Sequence, residues 1–223
     1  NSSMKITFIA TVLNEEKTIE LFVKSILSQS RKIDEIILVD GGSTDRTVSL
    51  IRKYNREIKL IIKKGNRSVG RNEAIKISSN EIILCSDSGC ILDKDWARNI
   101  IEPFKDKKID VVAGYYKGHA KNIFEKCLTP YVLTMEDKIN PENFSPATRS
   151  IAFKKSIWKK VGGFPQEFSN NEDYVFAKRL KQIGAHIVFN KSAIVNWIPR
   201  KNLKQAFIMF FRFAFGDAHA RIF

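Results

Sequence analysis

The 223-residue sequence lacks most of the features that mark spanning, secreted or metal-cluster proteins. Its three cysteines, Cys85, Cys90 and Cys127, are odd in number and without metal-ligand spacing, which favours reduced thiols in a cytoplasmic protein. No apolar run reaches the roughly 18 residues that a spanning helix needs. No signal peptide precedes the first predicted strand, and Asn1 to Ser3 are left outside the predicted fold.

Acidic residues are also scarce, 24 against 38 lysines and arginines, so the net charge is +14. Such a charge favours a polyanionic partner. The basic residues are dispersed and no nucleic-acid-binding motif is present, so we expect no nucleic-acid partner. An anionic membrane surface and a diphosphate-bearing substrate are the two remaining interpretations.

Two phosphate-binding signatures are missing as well. No Gly-x-Gly-x-x-Gly follows the first predicted strand, which argues against a nicotinamide dehydrogenase. The glycine-rich, basic phosphate loop of nucleotidyltransferases is also absent near that strand. The function must therefore be predicted from individual polar side chains at the ends of the predicted strands.

Apolar strands alternate with amphipathic helices through the first half of the chain. This order predicts βαβ units and an α/β fold, a single domain with a doubly wound, mostly parallel sheet flanked by helices. In the first half, Asn14 and either Ser68 or Asn72 are predicted as helix caps. The second half is less regular, with a helix predicted over 120–140 and a last helix from Asn202. Predicted strands cover residues 5–11, 36–39, 58–62, 81–85, 109–116, 150–153 and 187–189.

Polar side chains lie at the carboxyl ends of three of these strands. Asp40 ends the apolar run Ile36–Val39, while Asn14 and Asp87 follow the first and fourth strands within three residues. A strand order of 3-2-1-4, common in doubly wound sheets, would place all three on one edge, where such folds bind ligands. The alternative for Asp40 is a simple strand–turn–helix connection through Gly41 and Gly42.

Six short motifs occur in order along the chain, namely Thr11–Glu16, Asp40–Asp45, Gly70–Ala74, Asp87–Gly89, Gly162–Phe164 and Glu172–Asp173. Through these motifs the chain resembles family 2 glycosyltransferases from about Met4 to Pro199. The resemblance implies a GT-A fold, with a nucleotide-sugar-binding half (4–116) and an acceptor-binding, catalytic half (117–200) of one domain, followed by a basic aromatic helix (201–223).

The same resemblance implies roles on the donor side. Asp40 would contact the base, usually uracil, helped by backbone near Thr11 and Asn14. Arg71 lies where the family closes over the nucleotide, although a solvated helix arginine is nearly as good an interpretation. Asp87 matches the first acid of the Asp-x-Asp metal motif and would bind the metal–diphosphate.

On the acceptor side, the resemblance makes Asp173 the general base of an inverting displacement. Glu172 is expected to contact the acceptor or to be structural, and Arg149 and Ser150 to line the sugar and acceptor pocket. The implied reaction moves a sugar from a nucleotide-diphosphate sugar, most often a UDP-sugar, to a hydroxyl of a glycan or lipid-linked acceptor. Without the resemblance, Glu172 and Asp173 would be read as acids favoured by a helix dipole.

The chain departs from the family at Gly89, which stands where the second acid of Asp-x-Asp is expected. A divalent cation, Mg²⁺ or Mn²⁺, is still the expected cofactor, because Mg²⁺ takes few protein ligands and keeps waters. A histidine that helps to hold metal in some relatives has no counterpart near Asn196 and Trp197. A non-catalytic nucleotide-sugar or polyanion binding protein of the same fold is therefore the alternative function.

Residues 191–223 carry six basic groups against one acid, Asp217, with phenylalanines between them. A basic, aromatic, amphipathic segment predicts a helix lying at the inner face of a membrane. Packing of this helix on the core is an equally good interpretation. The chain reaches Phe223 without a helix cap, so we expect the natural protein to continue.

Overall fold

The computed structural model describes residues 4–141 and 144–220. The predictions for Asn1 to Ser3 and for the end of the last helix at Phe223 lie outside these residues. The strands are β1 Ile6–Val12, β2 Glu35–Asp40, β3 Lys59–Ile62, β4 Ile82–Cys85, β5 Cys90–Leu92, β6 Val111–Gly118, β7 Ile151–Lys154 and β8 Ile187–Trp197. The α-helices are α1 Ile19–Leu27, α2 Thr47–Arg52, α3 Arg67–Ile77, α4 Trp96–Ile101, α5 Ile123–Val132, α6 Lys155–Lys160, α7 Glu172–Gln182 and α8 Leu203–Ala220.

The described strands form one eight-stranded sheet in the order β3-β2-β1-β4-β7-β6-β8-β5. The first four are parallel and confirm the predicted order 3-2-1-4. Beyond them β7 is antiparallel to both β4 and β6, and β6 is parallel to β8. Strands from both halves of the sequence therefore share one sheet.

The central strands are apolar on both sides because helices cover both faces of the sheet. In β1, Phe8 and Ala10 pack into one core cluster while Ile9 packs into the other. In β2, Leu38 and Val39 divide in the same way. This alternation explains why the strands read as continuous hydrophobic runs.

Gly70 lets α3 pack closely on the sheet. A Cβ atom at this position would lie 2.6 Å from Thr11 Cγ2 and 3.4 Å from Val39 Cγ1. Only glycine fits without a shift of the β1 side chain. The close approach holds the next residue, Arg71, near the carboxyl ends of β1 and β4.

Several local predictions were wrong. Asn66, and neither Ser68 nor Asn72, caps α3, since its Oδ1 accepts a hydrogen bond from Val69 N at 3.1 Å. Asn14 does not cap α1, because Thr18 occupies that position. The predicted helix over 120–140 is confined to α5 and a short 3₁₀ turn, Glu136–Lys138, since Pro130 and the extended Leu133 limit it.

The sheet also has more strand at its far edge than the sequence predicted. β5 was not predicted, and β8 runs to Trp197 rather than ending near residue 189. The two strands pair with each other in antiparallel register. Over residues 4–141 and 144–220, every helix is too short or too polar to cross a bilayer.

Candidate functional site

A cavity of about 740 Å³ lies at the carboxyl ends of β1, β4 and β8. Its volume is in the range of small-molecule binding sites. The start of α7 and the inner face of α8 complete its wall. Six of the residues predicted to form the site line this cavity, namely Thr11, Asn14, Asp87, Arg149, Glu172 and Asp173.

Asn14 joins the loops that follow β1 and β2. Its backbone N–H donates to Ser43 Oγ at 2.9 Å, and its Oδ1 accepts from Thr44 N at 2.9 Å. The residue adopts a left-handed backbone (φ 54°), which asparagine tolerates better than most residues. The predicted convergence of the first two strand ends is therefore observed, with Asn14 as the link.

Asp40 lies at the end of β2 but is only 1% exposed and is not among the described residues lining the cavity. Its Oδ1 accepts from Gly42 N at 2.9 Å and from Ser43 N at 2.8 Å. Its Oδ2 accepts from the Ser43 hydroxyl. Oδ2 can still accept a second hydrogen bond, but direct contact with a base would require this buried carboxyl to become accessible.

Arg71 is 1% exposed and connects three elements beneath the cavity floor. It contacts Glu172 Oε1 at 2.7 Å through Nη1, and Asp87 Oδ1 at 2.9 Å through Nη2. The same Nη2 lies 3.0 Å from Thr148 Oγ1. The alternative interpretation of Arg71 as a solvated surface arginine is therefore wrong, because its charge is buried between two carboxylates.

Arg71 and two further arginines stabilise the negative charge of Asp87. Burial alone would raise the pKa of this carboxyl, but the guanidinium groups of Arg71, Arg67 and Arg149 outweigh it and lower that pKa below its ordinary value of 3.8. Asp87 is therefore ionised at neutral pH. It faces the cavity as a carboxylate with one oxygen already in use.

Asp173 has the opposite environment. Burial raises its pKa above the ordinary 3.8, and the negative charge of Glu172 adds to this, while Arg149 only partly offsets it. The side chain is half-buried in the first turn of α7 and lines the cavity. A carboxylate with a raised pKa beside a ligand-sized cavity is suited to accept a proton.

The remaining acceptor-side residues differ in position. Arg149 is half-buried, and its guanidinium carbon lies 5.4 Å from the centre of the Tyr116 ring. Ser150 is fully buried, accepts from Trp96 Nε1 at 2.8 Å and donates to the Ala193 carbonyl at 3.1 Å. Ser150 is not among the described residues lining the cavity, and these contacts give it a structural role.

Sequence reasoning missed several lining residues. Thr148 and Arg67 carried no motif signal, while Arg200 follows directly on Pro199, the last residue of the resembling region. On the opposite wall, Asp217 accepts a hydrogen bond from Asn171 Nδ2 at 2.6 Å. Asp217 is the lone acid in an otherwise basic segment, and that signal could have indicated a buried partner.

The side chains around Asp87 do not form a metal-binding set by themselves. Among the described residues, no group of three histidines, cysteines or acids is close enough to hold an ion. Asp93, the next acid along, accepts a hydrogen bond from Asn196 Nδ2. A Cβ at Gly89 would have no heavy atom within 4 Å, so the place of the expected second acid is open space.

Comparison with known proteins agrees with this geometry. The family described as "Glycosyl transferase family 2" matches residues 7–160. A poly-beta-1,6-N-acetyl-D-glucosamine synthase of Staphylococcus epidermidis is 32% identical over 169 residues, which cover 70% of this chain and 41% of the synthase. The chain thus spans less than half of that relative's length.

Two solved structures share the fold. S. aureus TarS 1-349 in complex with UDP-GlcNAc superposes with a TM-score of 0.72 at 20% identity, covering 89% of this chain and 60% of TarS. The mannosyltransferase PcManGT from Pyrobaculum calidifontis, in complex with GDP-Man and Mn²⁺, has a TM-score of 0.72 at 18% identity, covering 96% and 62%. The predicted GT-A fold is confirmed, and the chain belongs to glycosyl transferase family 2.

Proposed function

We propose that the protein is an inverting glycosyltransferase that moves a sugar from a nucleoside-diphosphate sugar to a hydroxyl of a glycan or lipid-linked acceptor. A UDP-sugar is the proposed donor, which the TarS complex with UDP-GlcNAc supports. The synthase and PcManGT are also named for sugar transfer or polymerisation. Family membership, stated above, supplies the reaction class.

The position of Asp173 is the observation that carries this proposal. It lines the same cavity as Asp87 and the ends of β1 and β4, and its pKa is raised by burial first and by Glu172 second. Asp173 would take the proton of the acceptor hydroxyl as that oxygen bonds to the anomeric carbon. The bond from that carbon to the diphosphate breaks on the opposite side, and its electron pair stays on the diphosphate oxygen.

On the donor side, we propose that the loops joined by Asn14 hold the nucleotide, with Thr11 backbone at the strand end. Asp40 would accept a base N–H in place of the Ser43 hydroxyl that it now accepts. Arg71 acts from beneath by fixing Asp87 and Glu172. Arg149 is proposed to line the pocket in which the donor's sugar and diphosphate meet the acceptor, while Glu172 serves mainly as the buried partner of Arg71.

A divalent cation is the proposed cofactor only if the phosphates of the nucleotide sugar supply most of the metal ligands. PcManGT was solved with Mn²⁺, and Mg²⁺-type ions are often held by one carboxylate plus substrate phosphates. Here one oxygen of Asp87 is bound to Arg71, and Gly89 occupies the position of the second acid in the Asp-x-Asp motif. The described side chains therefore do not form a complete site for an ion held by the protein alone.

A panel of nucleotide sugars tests the proposed function. We expect a UDP-sugar to raise the melting temperature of the protein, since a ligand at about 100 times its Kd adds about 2.7 kcal/mol of stability. The same sugar should be hydrolysed slowly in the absence of acceptor. Binding without any hydrolysis or transfer would favour the non-catalytic alternative, and a panel without any binder would contradict both.

We further propose that α8 rests on an anionic lipid surface. Its inner face, with Met209 and Phe213, lines the cavity, whereas Leu203, Phe207 and Phe211 form an outward stripe with exposures of 77%, 72% and 65%. Lys204 and Arg212, both exposed, supply the positive charge that complements anionic headgroups. The charge favours lipid over an uncharged protein surface as the occupant.

Vesicle co-sedimentation tests the lipid proposal. The double variant Phe207→Ser/Phe211→Ser should bind phosphatidylserine-containing vesicles at least about tenfold more weakly, because each buried phenylalanine contributes about 1.5–3 kcal/mol. A Leu21→Ser/Ile62→Ser variant, altered at two exposed apolar positions outside α8, is the matched control. Failure of the unmodified protein to bind anionic vesicles would overturn the proposal.

A further inference from the structure

Three arginines, Arg67, Arg149 and Arg200, line the cavity. Among the described residues, no carboxylate lies within ion-pair distance of any of them, whereas Arg71 is paired with two carboxylates. Acids also line the cavity, but three guanidinium groups outside any ion pair on the wall of one concave site can bind an anionic ligand together.

These three charges are close enough to affect one another. Burial lowers the pKa of Arg200, Glu15 opposes this effect, and the like charges of Arg67, Arg212 and Arg149 lower that pKa further. Arg67 and Arg149 also act on the Asp87 carboxylate, as described above. The three arginines are therefore near enough to act on one ligand in the cavity.

The cavity also lacks one acid of the family's metal motif. Gly89 leaves open space where the family pattern has a second carboxylate. Asp87, the acid of the motif that remains, has Arg71 bound at 2.9 Å. Three arginines outside any ion pair and an incomplete metal motif thus occur in one cavity, and a diphosphate is the ligand that both features suit.

We propose that Arg67, Arg149 and Arg200 bind the donor diphosphate directly, so that donor binding and transfer do not require a divalent cation. This inference rests on the proposed function. Guanidinium groups bind phosphate oxygens through paired, charge-assisted hydrogen bonds. When the bond from the anomeric carbon to the diphosphate breaks, the electron pair remains on the departing phosphate oxygen, and the arginines neutralise that added charge.

Calorimetry with UDP, with uridine as the probe lacking phosphate, tests this arrangement. UDP should bind in EDTA with a Kd within about threefold of that measured in Mn²⁺. Arg149→Gln and Arg200→Gln should each weaken UDP binding in EDTA at least about tenfold, as expected for loss of a charge-assisted contact. The matched control Arg52→Gln, on the exposed side of α2, should bind as the parent does.

A gain-of-function variant gives an independent readout. Gly89→Asp places a carboxylate in open space. In EDTA it should weaken UDP binding at least about tenfold by repulsion of the diphosphate, and Mn²⁺ should restore the binding. The parent should show no such dependence on the ion.

The outcomes separate this inference from the function on which it rests. Binding of UDP by the parent only in Mn²⁺, or unchanged binding in both arginine variants, would overturn the arginine site and leave the proposed glycosyltransferase intact. Absence of binding of both UDP and GDP, with or without Mn²⁺, would overturn the proposed function and this inference together. Circular dichroism of each variant confirms that the fold is retained.

Discussion

Asp173→Asn should lower the rate of sugar transfer by about 10²–10⁴-fold, the usual contribution of a general base. The amide keeps the size of the side chain but cannot accept the acceptor proton. Donor binding should stay close to that of the parent, because the proposed contacts to the nucleotide and diphosphate come from the ends of β1, β2 and β4 and from three arginines, and none comes from Asp173. Initial transfer rates and calorimetric donor affinity, measured on the same preparation, check both parts.

A matched control is available at the opposite edge of the sheet. Asp106 is exposed and precedes β6, away from the carboxyl ends that form the cavity. Asp106→Asn should transfer at the parental rate. Parental turnover in Asp173→Asn would rule out this residue as the base, and loss of donor binding in the same variant would point to a different role.

The raised pKa of Asp173 adds a pH signature. Because a protonated carboxyl cannot act as a base, kcat/KM should fall as the pH drops through a value above the ordinary 3.8 of aspartic acid. Ionisation of Asp173 lowers the free energy of unfolding, whereas ionisation of a carboxyl with a lowered pKa raises it. A folded pKa above the unfolded one means that ionisation at neutral pH opposes folding, so Asp173→Asn should unfold at the same temperature as the parent or higher.

Arg71→Met should reduce the free energy of unfolding by about 3–5 kcal/mol, the range found when one partner of a buried ion pair is removed. Methionine fills much of the space but leaves Glu172, which is 3% exposed, without a counter-ion. Urea denaturation of parent and variant at neutral pH measures the difference. A loss below about 1 kcal/mol would contradict the buried network.

A second variant separates loss of charge pairing from loss of packing. In Arg71→Met/Glu172→Gln the buried carboxylate is also removed, so part of the lost stability should return. The pH dependence provides another check. Folding lowers the pKa of Asp87, so its contribution to stability is present above 3.8 and is lost as the pH falls through the lowered value. Without Arg71 this loss in acid should be smaller.

The parallel part of the sheet could be predicted because its information is local. Ile36–Val39 and Ile82–Cys85 are short, continuous apolar runs bounded by turn residues, and they occur as the centres of β2 and β4. β5 could not be predicted in this way. It has three residues, and its strand character depends on pairing with residues 195–197 more than a hundred positions later.

The site shows the same division. Asn14 and Asp87 follow predictable strands, so their convergence could be expected from the order of the strands, whereas only the resemblance to the family pointed to Asp173. The bonds of Asp40 within its own turn depend on the conformation of Gly42, which has φ 107°. Arg200 lies beyond the last strand, where no periodic pattern indicates which way the chain turns.

The contacts of Arg71 also indicate the order in which the site forms during folding. Its two carboxylate partners lie 16 and 101 positions later in the chain. Closing the longer loop is entropically unfavourable, so we expect this contact to form late. Until α7 docks, Arg71 and Asp87 face each other without Glu172, and Asp173 is far from the nucleotide-binding edge. The nascent chain can therefore complete its first four strands well before Asp173 reaches the cavity.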